Sequence, residues 1–276
     1  MRRVEDINHF VQLTQTLKQD KTQIVTNSLL LPGEIERLTA LGQMMYLPLP
    51  TGIAFLCDEG AFYRLYYYVD ARKQISFEKL DKPVVIDFVY REGRKPDAVT
   101  NMQEEWQRCG FTPYSVNRKM SMSLVDYMQC KPRPLMRNGR QFQIIRAEPR
   151  HAAEIEALWR AVLDPFNSAI PEGSALLRQI EDGNVFCIIE NDTVYAADRI
   201  QVENRRGSAW QVAVDASMRR MGLGTALQLH NFFTAKKRGC HTFFLWVAED
   251  NTAARMVYEK LGLACTKDIS ETFILK

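Results

Sequence analysis

The chain has 276 residues, 46% hydrophobic and 25% charged, with a formal net charge of +3, the balance of one large or two small globular domains. So slight a positive excess, with no basic block rich in stacking aromatics, argues against a nucleic-acid partner. No apolar run reaches the length of a membrane span, and Met1-Arg2-Arg3 leads into polar sequence rather than an apolar signal core. Six scattered cysteines (Cys57, Cys109, Cys130, Cys187, Cys240 and Cys265) lack the close spacing of a zinc site or disulfide framework, so a cytoplasmic protein with reduced thiols and no metal is expected.

In chain order, residues 4–17 and 32–41 carry helical periodicity, and 52–57 with 62–69 read as a strand hairpin across Asp58-Glu59-Gly60. Residues 84–90 follow as a buried strand, 99–108 as a helix and 113–124 as extended chain. Met44, Met45 and Tyr66-Tyr67-Tyr68 read as residues packing one domain against the other, or as a wall over a pocket. The basic, proline-containing stretch 131–140 reads as a linker, which sets the domains at 1–130 and 141–276.

In the C-terminal half, residues 210–214 form a short apolar, β-branched strand, and Asp215-Ala216-Ser217-Met218-Arg219-Arg220-Met221-Gly222-Leu223-Gly224-Thr225 runs through a turn into a helix. A helix N-terminus offers unpaired amides and about half a positive charge. Gly222 and Gly224 bare that backbone, and Arg219 and Arg220 add formal charge suited to phosphate. The helix is read with a stripe of Gly222, Ala226, Leu229 and Phe233 beside Leu223 and Leu227. It ends at Lys236, Lys237, Arg238 and Gly239. A strand at 242–247 completes a β-α-β unit. Asp250 or Asn251 then caps a second helix whose Ala253, Ala254, Val257 and Leu261 share a face before Gly262.

These residues resemble the GNAT acyltransferase superfamily, whose members move an acyl group from coenzyme A to an amine. Arg219, Gly222 and Gly224 match its Arg/Gln-x-x-Gly-x-Gly/Ala signature. Asn251, Ala253, Ala254, Tyr258, Glu259, Lys260, Leu261, Gly262 and Leu263 match its later helix. Upstream, 143–149 looks like the family's opening strand, 152–162 like its first helix, and 185–189 with 194–202 like its hairpin, turning at Asn191-Asp192. The likeness runs from about residue 141 to the C-terminus. Ala216 stands where a proline is common, and Arg220 where the turn often has another glycine.

The resemblance implies an α/β fold built as a mixed, mostly antiparallel sheet flanked by helices. Trp106-Gln107-Arg108-Cys109-Gly110-Phe111 echoes Tyr258-Glu259-Lys260-Leu261-Gly262-Leu263, so the N-terminal half reads as a degenerate second copy or else as an accessory domain. It lacks the glycine turn, carries Trp106 for the tyrosine, and is expected neither to bind coenzyme A nor to catalyse. Further implications are an acetyl-coenzyme A co-substrate whose pantetheine arm pairs with the backbone of Val212 and Val214, and a diphosphate held at Arg219, Arg220, Gly222, Gly224 and Thr225. Tyr258 would donate a proton to the leaving thiolate. Asn251 either only caps its helix or also touches the arm.

The expected reaction is direct attack by a primary amine of a small molecule or peptide, its oxyanion met by backbone near Val214. Glu203 and Glu249 are the candidate bases, but each reads first as an ordinary solvated carboxylate, and the sequence does not identify the base. Trp210 and Trp246 read as core or pocket wall, and His151, His230 and His241 lie singly, without metal-ligand spacing. The rival reading is a catalytically silent coenzyme A-binding regulatory or interaction module. A dinucleotide site is disfavoured because Leu227 stands where its third glycine would fall. A homodimer is compatible with the sequence.

Overall fold

The computed structural model describes residues 1–19, 23–127, 135–137 and 139–276. One unit consists of Met1–Asn117 with Lys267–Lys276, and the other of Arg118–Thr266. The first contains β1 (Arg2–Arg3), α1 (Ile7–Gln19), β2 (Ile24–Thr26), α2 (Pro32–Ala40), β3 (Met44–Leu49), β4 (Gly52–Asp58), β5 (Tyr63–Asp70), β6 (Val84–Arg91), α3 (Asp97–Arg108) and the start of β7 (Thr112–Ser123). β1, β3, β4 and β5 pair antiparallel in that order. β5 and β6 are parallel and share only Tyr63↔Val84 and Arg64↔Val85.

Successive strand residues face opposite sides, which settles the tyrosine run. Tyr67 joins Leu56, Leu65, Ile86 and Trp106 in one core, while Tyr66 and Tyr68 flank Phe10, Met44 and Phe55 in another. The expected inter-domain wall is therefore corrected. Three consecutive strand residues cannot form one face, and Met44 and Tyr67 belong to cores within their own unit.

The second unit takes the rest of β7, then β8 (Leu135–Arg137), β9 (Arg140–Arg146), α4 (Ala152–Val162), α5 (Pro165–Ser168), α6 (Gly173–Glu181), β10 (Val185–Glu190), β11 (Thr193–Glu203), β12 (Arg206–Val214), α7 (Leu223–Lys237), β13 (Thr242–Ala248), α8 (Thr252–Lys260) and the start of β14 (Ala264–Leu275). Its sheet runs β13-β12-β11-β10-β9-β8, antiparallel except for β12 with β13. The result is a mixed sheet with helices on both faces. Ile155, Trp159, Leu176 and Ile180 of α4 and α6 cover Val185, Cys187, Ala197 and Ala213. Leu227, Phe232 and Ala235 of α7 cover the opposite side. The hairpin turns at Asn191 (φ 49°) and Asp192 (φ 61°), the left-handed pair that a two-residue connection favours.

Three differences from expectation have local causes. β12 begins at Arg206 rather than at Trp210, because Asn204 (φ 47°) and Arg205 (φ 60°) make a second tight turn. The buried face of α7 runs through Leu223, Leu227, Asn231, Phe232 and Ala235, while Leu229 is 41% exposed. Gln228, Asn231 and Thr234 are buried too, so hydrophobicity does not mark the inner face. Finally, Asp268 to Leu275 of β14 pair antiparallel with Arg91 to Val84 of β6, so the last ten residues count with the first unit.

Residues 131–134 and 138 of the expected linker lie outside the described residues, and the remainder contributes β8 and the start of β9. The division by contacts falls within β7 and within β14.

α7 rests on β12 where Gly207 has no side chain, since a Cβ there would sit 2.8 Å from Ala235 Cβ and 3.0 Å from Phe243 Cδ2. Gly207→Ala is expected to cost about 1–3 kcal/mol in urea unfolding through overpacking. Unchanged stability would show that this contact yields without cost.

Candidate functional site

β12 pairs with β13 only at Arg206↔Thr242, Gly207↔Phe243 and Ser208↔Phe244. Beyond Ser208 the parallel strands part, and β11 is the other neighbour of β12. Among the described residues, no strand then lies on the outer edge of β12 that carries Val212 and Val214. An unpaired edge is a template for an added one.

The turn that follows is held from within. Asp215 accepts hydrogen bonds from the Ser217 amide at 2.8 Å and the Ser217 hydroxyl at 2.5 Å. These bonds hold its carboxyl below the usual range and fix the 3-10 turn Ala216–Met218. Arg219 is extended and exposed, Arg220 is left-handed at φ 63°, and Gly222 is left-handed at φ 81° as the N-cap of α7. The left-handed backbone at Arg220 explains why a glycine suits that position. The first bond closing α7 runs from Ala226 N–H to Gly222 C=O at 3.0 Å, so the amides of Leu223, Gly224 and Thr225 are left over. A Cβ on Gly224 would meet only Val214 Cγ2, at 3.6 Å. The space in front of Gly224 is therefore open apart from that ordinary contact.

Val212, Val214, Arg219, Arg220, Gly222, Gly224 and Thr225 thus form one continuous strand, turn and helix start. This arrangement fits a ligand with an extended amide arm ending in a diphosphate, with the amides and two guanidinium groups supplying the anion site.

On α8, Asn251 Oδ1 accepts from Ala254 N–H at 3.1 Å, so its capping role is realised. Tyr258 is half-buried against the cluster of Phe232, Leu245 and Val247. Burial, with a smaller contribution from the Asp198 carboxylate, pushes its phenol up to about 12, so it keeps its proton at neutral pH. No hydrogen-bond partner engages that phenol among the described residues.

Of the two candidate bases, one lies far along the strand and the other is engaged in an ion pair. Glu203 pairs with Arg206, the first residue of β12, and a strand of that length puts it roughly 25 Å from Val214. Glu249 Oε1 lies 2.7 Å from both Nε and Nη2 of Arg118, in an ion pair.

The histidines have local roles. His151 Nδ1 accepts from Glu148 N–H at 3.0 Å. His230 packs edge-on to Phe186 at 4.4 Å and is pushed down to about 4 by burial, so it stays neutral. His241 is exposed. Trp210 donates to Ser208 Oγ at 2.9 Å beneath the Arg199 guanidinium, and Trp246 lies 5.9 Å from Lys119 Nζ.

Two residues escaped the sequence reading. Gln211, left-handed at φ 47°, forms a bulge opposite the register shift between Ala197 and Arg199. Its Oε1 accepts from Arg199 Nε at 2.8 Å, and its Nε2 donates to the carbonyls of Ser168 and Ala169, tying the C-terminal end of α5 to the strand beside Val212. Nothing in an otherwise regular apolar run signals this bulge. Asp198 is wholly buried under α7, accepting from Asn231 Nδ2 at 2.7 Å with its other oxygen unpartnered. A lone acid within an apolar strand was the available signal.

Residues 153–263 match the model of the Acetyltransferase (GNAT) family. This part of the chain belongs to the GNAT family. The chain is similar to the ribosomal protein bS18-alanine N-acetyltransferase of Escherichia coli (strain K12), with 36% identity over 77 residues, 28% of this chain and 52% of that protein. It therefore spans about half the length of the curated relatives it matches. Similar folds include a GCN5-related N-acetyltransferase from Sphaerobacter thermophilus (TM-score 0.55, 15% identity, 81% of this chain and 76% of that one). A tandem GNAT protein from the clavulanic acid biosynthesis pathway is comparable (TM-score 0.54, 12% identity, 82% and 78%).

Within this GNAT domain, the Asp198 carboxyl is pushed up to about 8 by burial, against the pull of the Asn231 hydrogen bond. The folded state therefore keeps a proton that the unfolded chain, with an ordinary carboxyl near 3.9, gives up. Stability falls as pH rises from about 4 through 8. Asp198→Asn is expected to raise the melting temperature relative to the parent, with a gain that grows between pH 5 and pH 9. A gain that does not vary with pH would contradict this assignment.

Proposed function

We propose that the second unit binds acyl-coenzyme A, most simply acetyl-coenzyme A, and transfers its acyl group to a primary amine. The observation that carries this reading is the set of unshared amides at Leu223, Gly224 and Thr225 beside Arg219 and Arg220. They follow directly on the open edge of β12. A diphosphate satisfies the first group, and the pantetheine amides satisfy the second at Val212 and Val214.

With the donor aimed this way, the amine nitrogen attacks the thioester carbonyl. The N–C bond forms, the C–S bond breaks, and the amine proton passes to solvent. A phenol near 12 holds its proton more tightly than a thiol near 8.5. The role that suits Tyr258 is hence a hydrogen bond to the sulfur as charge develops, with solvent completing the protonation.

The position of the carboxylates bears on the acceptor. Glu203 lies at the far end of the hairpin and Glu249 is paired with Arg118, so neither stands ready as a base. A lysine-type amine with pKa near 10.4 needs about 4.6 kcal/mol to become neutral at pH 7, whereas an α-amino group near 7.8 needs only about 1 kcal/mol. This favours a peptide α-amino group, in line with the alanine named in the E. coli relative. The paired Glu249 equally suits a module that binds without transferring, which would show saturable binding and no thiol release.

The test follows free thiol from acetyl-coenzyme A with a peptide bearing a free N-terminal alanine, against the same peptide blocked at its N-terminus and carrying a lysine. Release with the first and not the second is expected. In that assay Tyr258→Phe should lower kcat about 10²-fold or more with the Kd for coenzyme A unchanged. An unaltered kcat would remove Tyr258 from this role.

A further inference from the structure

The first unit meets the same geometric problem as the second and resolves it from within. β5 and β6 are parallel and touch only at Tyr63↔Val84 and Arg64↔Val85 before parting, as β12 and β13 do after Ser208. The other edge of β5 is fully taken by β4, from Gly52↔Val69 to Asp58↔Tyr63. β2, antiparallel to β5 at Ile24↔Asp70, Val25↔Val69 and Thr26↔Tyr68, can therefore lie only on the edge that β6 vacates.

Between these two stretches sits the side chain of Asn27. Its Nδ2 donates to the carbonyl of Leu65 at 3.1 Å and to that of Asp87 at 3.2 Å, and its Oδ1 accepts from Tyr67 N–H at 2.8 Å. One amide thus bridges the backbones of both strands across the gap. The edge of β5 is closed along its length by β6, by Asn27 and by β2 in turn.

The surrounding features agree. Residues 71–83, between β5 and β6, contain no helix and so no helix N-terminus for an anion, and Ile75 and Phe77 from this segment fill the core instead. Trp106, the counterpart of Tyr258 in the sequence echo, is wholly buried.

We propose that residues 24–27 are a built-in occupant of the first unit's strand cleft: they hold the backbone partners that an extended, amide-bearing ligand such as pantetheine would need. The protein consequently takes one acyl-coenzyme A per chain, in the second unit. The stoichiometry rests on the function proposed above, while the occupancy by Asn27 stands apart from it.

Calorimetric titration of the full-length chain with acetyl-coenzyme A, with amide hydrogen exchange on the same samples, tests both parts. The parent should bind one equivalent, and Arg219→Glu with Arg220→Glu should weaken binding at least 100-fold and leave no residual site. A second equivalent in the parent, or binding in the double variant that protects amides of residues 63–70, would overturn the proposal. Asn27→Ala should speed exchange at the Tyr67 amide at least tenfold with the Kd for acetyl-coenzyme A unchanged, and unchanged exchange would overturn the bridging role. The first two measurements hold whether or not the Asn27 variant folds. If the parent binds no acetyl-coenzyme A while Tyr67 protection depends on Asn27, the functional reading fails and the built-in occupant stands.

Discussion

The parting of two parallel strands is the constraint on which this molecule turns. Backbone N–H and C=O groups in a protein interior must be paired, and β12 loses its parallel neighbour after Ser208, along the six residues that lead to the turn before α7. The function proposed for the second unit builds on that loss. On the function proposed above, the open edge would pair with an extended ligand, the glycine turn that follows would receive its charge, and the protonated phenol of Tyr258 on α8 would face the leaving sulfur. Gly207 lets α7 approach the sheet closely where the two strands are still paired.

The same constraint explains the difference between the two units. Both carry a strand pair that parts after two or three positions. In the first unit the chain supplies the missing partner itself, with the three residues of β2 and the amide of Asn27. In the second, no strand among the described residues fills the gap. A cleft whose backbone groups are already paired within the chain has none to offer a ligand, whereas one left open can exchange its hydrogen bonds to water for bonds to a ligand.

Much of this was legible in the sequence because the signals are local. Gly222 and Gly224 beside Arg219, the Asn191-Asp192 turn and the strand and helix periodicities of 52–69 and 252–261 each depend on a few adjacent residues, and the elements form where those residues place them. What escaped depends on distance. The pairing of β14 with β6 joins residues more than 170 positions apart, and the bulge at Gln211 is defined by strand β11 and by Ser168 rather than by its own neighbours. Asn27 lay between two helical patterns with nothing to mark it as a bridge. The inner face of α7 was misplaced because buried Gln228 and Asn231 break the apolar stripe that periodicity follows.

The central claim is that the open edge of β12 and the start of α7 together receive the acyl donor. Amide hydrogen exchange on the full-length protein, with and without saturating coenzyme A, tests it most directly. The account predicts added protection confined to the second unit, at residues 212–214 and 222–225, and no change at residues 63–70. Protection absent from 212–225, or appearing at 63–70 in its place, would contradict it.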